Sequence, residues 1–80
     1  LPDRDALIRT SQQLSDDIDK TNIYLENCGQ EQISIEDVVA KKNVVDESKL
    51  LFALIEIVFI QGKKIRSLEQ RISELLYENE

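Results

Sequence analysis

The chain has 80 residues, sixteen acidic against ten basic side chains, no histidine, one cysteine and a formal net charge of −6. So short a chain forms one small domain, of a size that usually relies on a disulfide, a metal or an oligomer for stability. The single cysteine excludes an intrachain disulfide and the missing histidine leaves no zinc-ligand spacing, so oligomerisation is the expected source of stability and no cofactor is expected.

The acidic balance argues against nucleic acid, because neutralising phosphates needs clustered Lys and Arg. The densest basic stretch, Lys63, Lys64, Arg66 and Arg71, reads as the solvated side of a helix. Residues 50 to 60 are the most apolar run. They are too few to span a bilayer and Glu56 interrupts them, so no membrane insertion is expected. No charged n-region and apolar h-region is visible at the start, so no signal peptide is expected, and the absence of an initial Met fits a piece of a longer protein. One unpaired cysteine fits the reducing cytoplasm.

A first helix, A, is expected over residues 3–28, with Asp3 as N-cap after Pro2. Leu7, Ser11, Leu14, Ile18, Thr21, Leu25 and Cys28 recur at three- and four-residue steps on one of its faces. Gly29 can take the left-handed conformation that ends a helix, which leaves a turn over 29–33. Ser34 then fits an N-cap, with acidic Glu36 and Asp37 in the following turn and Ile33 and Val38 placed as a hydrophobic staple. Helix B is expected over 34–77, either straight or bent near Asn43 to Glu47 or at Gly62, where glycine costs roughly 1 kcal/mol.

At 1.5 Å per residue the two helices are about 39 and 66 Å long, and so short a turn folds them back antiparallel. Leu7, Leu14, Ile18, Leu25, Ile33 and Val38 would close this hairpin, with Ile18 beside Val44 and Val45 and Leu7 beside Ile55. Helix A would run out at about Phe59.

Helix B carries a heptad pattern, with Leu51, Val58, Ile65 and Ile72 at a and Leu54, Gln61, Leu68 and Leu75 at d. β-Branched residues at a with Leu at d favour a parallel two-stranded coiled coil, although the few e and g charges leave antiparallel pairing open. The fold class expected is all-α: an antiparallel hairpin whose second helix dimerises, giving a four-helix bundle around 50–60 and a two-stranded stem over 62–77. Gln61 either sets register at its d position or, with Gly62, marks a local loosening. Phe52 and Phe59 lie at b and are the candidates for meeting a further partner.

No residue pattern points to catalysis. Asp16, Asp17 and Asp19 lack the spacing and glycine of a calcium loop and read as a solvated face. Cys28 reads as a small buried residue at the hairpin tip, since no histidine is present to activate it. Tyr24 reads as partly packed on the hairpin edge.

Two stretches carry a family resemblance. Asp17-Ile18-Asp19-Lys20-Thr21, with Tyr24-Leu25 and then Ile33-Ser34-Ile35-Glu36-Asp37-Val38-Val39, resembles the steadiness-box hairpin of the ubiquitin-binding subunit of ESCRT-I. With Lys41, Lys42 and the long helix that follows, the same residues resemble snapin-type subunits of lysosome-related-organelle complexes. The zipper after Ile65 departs from the steadiness box, which ends soon after its second helix. The resemblance implies a non-catalytic coiled-coil subunit of an endosomal or lysosomal assembly. The function expected from the zipper is oligomerisation or scaffolding by pairing with a second copy; the alternatives are pairing with another coiled-coil subunit of a membrane-trafficking or kinetochore-type complex, and a dimeric docking platform for a target helix or motor tail.

Overall fold

The computed structural model describes residues 3–78, and its first helix begins where a carboxylate can hold an exposed amide. Asp3, in extended conformation, accepts the Asp5 N–H at 3.3 Å and starts α1, Arg4–Asn27. At the other end Gly29 has φ 79°, Gln30 N–H donates to Leu25 O at 2.8 Å and Gly29 N–H donates to Glu26 O at 3.0 Å. This pair of bonds is a Schellman motif, which satisfies carbonyls that a helix end would otherwise leave unpaired.

The chain does not turn tightly after Gly29. Residues 30–34 run extended along α1, where Gln32 reaches Glu26 at 2.7 Å and Ile33 reaches Asn22. Ser34 then accepts the Asp37 N–H at 3.3 Å and starts α2, Ile35–Lys42.

The expected single helix B is interrupted. Asn43 takes the left-handed conformation (φ 51°, ψ 53°) and ends α2. Asp46 restarts the helix, accepting the Lys49 N–H on its side chain at 2.9 Å, and α3 spans Glu47–Glu78. An Asn that tolerates positive φ followed by an Asp that caps is a stop and a start, needing neither Pro nor Gly. Gly62 does not interrupt α3.

The break reverses the expected direction of packing. Arg4 Nε meets Glu47 Oε1 at 2.8 Å, and Gln61 Nε2 donates to Ile18 O at 3.0 Å. Both pairs lie 43 residues apart, and a constant difference between partners is the mark of parallel helices. An antiparallel pair would keep the sum constant instead. Residues 30–46 therefore carry the chain back along α1, so that α1 and α3 start together. The expected hairpin neighbours change accordingly. Ile18 packs on Leu54 and Ile57, and Val45 is exposed.

Ile18, Leu54 and Ile57 form the buried centre, with Leu14, Ile33, Ile35, Val38 and Leu50 against it. Burying each such side chain is worth about 1.5–3 kcal/mol. The Lys42–Glu56 ion pair at 2.6 Å joins the end of α2 to α3. At the 43-residue offset α1 reaches only to the level of about Gln70 on α3, so the uncovered part of α3 begins there and not after Phe59. Every residue from Glu69 to Glu78 is exposed. Among the described residues no helix is long and apolar enough to cross a membrane.

Candidate functional site

The heptad on α3 is divided between two jobs by the presence of α1. Leu54 and Gln61, expected in a dimer seam, are buried inside the single chain, and Leu68 from the same row is half-buried. Only Leu75, beyond the end of α1, remains open. The reason is geometric: Gln61 hydrogen-bonds to α1 at Ile18 O and Asn22 Oδ1, both at 3.0 Å, so that row faces α1. The other row behaves differently. Leu51 and Ile65 are half-buried, Val58 is partly exposed and Ile72 is exposed.

Next to that row lie Ile55, Gly62, Glu69 and Leu76, none of them buried. Taken together the two rows make a stripe repeating at four- and three-residue steps along most of α3, the period of a coiled-coil seam. Phe52 and Phe59 stand beside it with 69% and 66% of their surface exposed, so helix α1 covers neither. Where α3 outruns α1, Ile72, Leu75, Leu76 and Tyr77 are exposed as well. Exposed apolar residues in one contiguous run, as opposed to scattered singly, mark an interaction surface.

The residues expected to close the hairpin all lie inside the fold, though against α3 and the extended segment. Ile18 and Leu25 are fully buried, while Leu7, Leu14, Ile33 and Val38 are half-buried. Cys28 is exposed, contrary to its expected burial, because the helix ends before its side chain can reach the core. The Tyr24 phenol is held above its ordinary pKa, first by its hydrogen bond with the Cys28 side chain. Asp16, Asp17 and Asp19 are exposed, and among the described residues no three His, Cys, Asp or Glu side chains are grouped to hold a metal ion.

The sequence reading missed Asn22. It is buried, its Nδ2 donates to Ile33 O at 2.8 Å, and its Oδ1 accepts both Ile33 N–H at 3.0 Å and the Gln61 carboxamide. One side chain therefore binds α1, the extended segment and α3 together. The signal was available: Asn22 follows Ile18 by four residues and precedes Leu25 by three, which puts it on the buried face. A second polar residue on that face, Ser11, has a buried hydroxyl without a hydrogen-bond partner. It borders a cleft of about 360 Å³ between the three helices, lined also by Ile8, Ile35, Leu50 and Leu54.

Comparison with protein-family models, with curated proteins and with solved structures finds no match to this chain.

Proposed function

We propose that this chain is a non-catalytic self-association module, which joins copies of a larger protein through the outer side of α3. The observation that carries the reading is the stripe of half-buried and exposed apolar residues running from Leu51 to Leu76, with Phe52 and Phe59 at its edge. Water contact along such a stripe is unfavourable by about 25 cal/mol per Å², so a partner helix laid on it is stabilised. An 80-residue domain with a core of few fully buried side chains gains most from that extra burial. The single cysteine fits a cytoplasmic setting, and the steadiness-box and snapin-type resemblance would imply a role in an endosomal or lysosomal assembly. Sedimentation equilibrium at micromolar concentration tests the reading. A dimer or higher oligomer is the expected result, and a well-folded monomer overturns it.

A second reading is a docking platform for a target helix of another protein. Phe52 and Phe59 favour it, because both rings stand free on the outer face of α3. A homodimer that leaves both rings accessible to solvent quenching would support this reading.

A further inference from the structure

Resting on the self-association reading, we infer that two copies pair antiparallel along the outer stripe of α3, the bare end of each lying over the start of the other's stripe from Leu51 to Ile55. Three features of the stripe lead to this arrangement, and none of them is required by the fold of a single chain.

The first is Gly62. It sits within an uninterrupted helix, has no positive φ, and a Cβ added to it would meet nothing within 4 Å. Glycine in a helix interior is unfavourable relative to alanine, and α1 gives no steric reason for it. A side chain of a second molecule laid over Gly62 does. Antiparallel pairing that sets Leu51 opposite Leu76 and Ile55 opposite Ile72 also sets Gly62 opposite Ile65, so a large side chain fills the gap. Parallel in-register pairing would instead set Gly62 against Gly62 and leave a hole, and packing losses at holes are what destabilise cores.

The second is Glu69, the one charged residue in the stripe. Parallel in-register pairing places it against its own copy, so two carboxylates would face each other within the seam. Antiparallel pairing places it against Val58 and separates the two charges. Burial and like charge both disfavour the ionised form, so the parallel layer is the costlier of the two.

The third is the extent of α3. The exposed large apolar residues of α3 fall in two groups, Phe52 to Ile60 within the reach of α1 and Ile72 to Tyr77 beyond it. Antiparallel pairing at this register sets Ile72 to Tyr77 of one copy against residues 50–55 of the other, so the bare end of each helix is covered by the start of the other's stripe.

Cysteine cross-linking of the full chain tests the orientation, in a Cys28→Ser background that removes the exposed native thiol. Leu51→Cys and Leu76→Cys chains are oxidised separately and as a mixture, and Ile55→Cys with Ile72→Cys serves as a second pair. Disulfide-linked dimers that form in the mixtures and not with either chain alone are expected. Dimers linked between identical positions, or sedimenting dimers that cross-link in neither way, overturn the antiparallel arrangement while leaving self-association standing. A monomer by sedimentation overturns both. A separate variant, Gly62→Leu, should raise the helicity of the chain and yet weaken dimerisation by about tenfold or more. Unchanged or tighter dimerisation by that variant would also overturn the arrangement.

Discussion

The Gln61 carboxamide donates to Asn22 Oδ1 at 3.0 Å, and that same oxygen receives the Ile33 N–H. The pair links the middle of α3 to the last turns of α1 across 39 residues of sequence, inside the apolar centre. Two amides in such a place fit together only in one alignment, because a slip of either helix leaves donors and acceptors unpaired where no water replaces them. Aliphatic side chains alone would tolerate the slip better.

Asn22→Ala should be the most damaging of the polar substitutions. It leaves the Ile33 N–H and C=O and one Gln61 donor without their partner, each loss costing about 1–3 kcal/mol when the group stays buried. Gln61→Leu takes one donor from two acceptors, of which Asn22 Oδ1 keeps the Ile33 N–H, and should cost no more than about 1 kcal/mol. Urea denaturation followed by circular dichroism gives both values. Equal losses, or a larger one for Gln61→Leu, would contradict the central place given to Asn22.

Asn43 separates α2 from α3 through a left-handed backbone. Asn43→Gly should leave stability unchanged or raise it slightly, since glycine adopts that conformation without steric cost. Asn43→Val should lower stability by about 1–2 kcal/mol, because a β-branched residue is strained there. The thermal midpoints of the two variants should therefore differ in that order, and a Val variant as stable as the parent would show that 43–46 is not a true break.

Glu47 lies beside Arg4, whose side-chain hydrogen bond holds the Glu47 carboxyl below its ordinary pKa. The folded-state pKa is depressed, so the contribution to stability is present above the unfolded value and is lost as pH falls through the folded one. Arg4 is largely open to solvent and Glu47 only half-buried, so the effect is small and screened by salt. Parent and Glu47→Gln should differ near neutral pH and converge as the solution is acidified below about pH 4. Stability curves that stay parallel down to pH 2 would exclude the pairing as a contributor.

Ser11 buries a hydroxyl that has no partner. Ser11→Ala should stabilise the chain by about 1 kcal/mol, removing an unpaired polar group and adding a better helix former. A loss of stability would show that the hydroxyl is bonded in solution, to water or to a ligand held in the adjoining cleft.

Much of the local architecture is legible in short stretches of residues. Asp3, Gly29 and Ser34 lie at helix ends for reasons that involve only their nearest neighbours, and of the apolar run over 50–60 Leu54 and Ile57 are interior while Phe52, Ile55, Val58 and Phe59 are exposed. The break at Asn43 is equally local. A bend near Asn43 to Glu47 is legible in the sequence, but the helical period continues on either side of it, so the full break, which reverses the packing of the long helix on α1, is not.

What the sequence by itself determined is that the chain is helical, where α1 begins and ends, and that α3 carries more apolar rows than one neighbour can cover. Which row meets which neighbour was decided by tertiary structure alone. A heptad states that two adjacent rows are apolar, but the rows are equivalent until another helix arrives, and nothing local says from which side or in which direction it comes. Here Arg4 with Glu47 and Asn22 with Gln61 align α1 parallel to α3 and bury the row of Leu54 and Gln61. The row of Leu51, Val58, Ile65 and Ile72 is left facing outward, because a helix can pack its α1 partner on one side only.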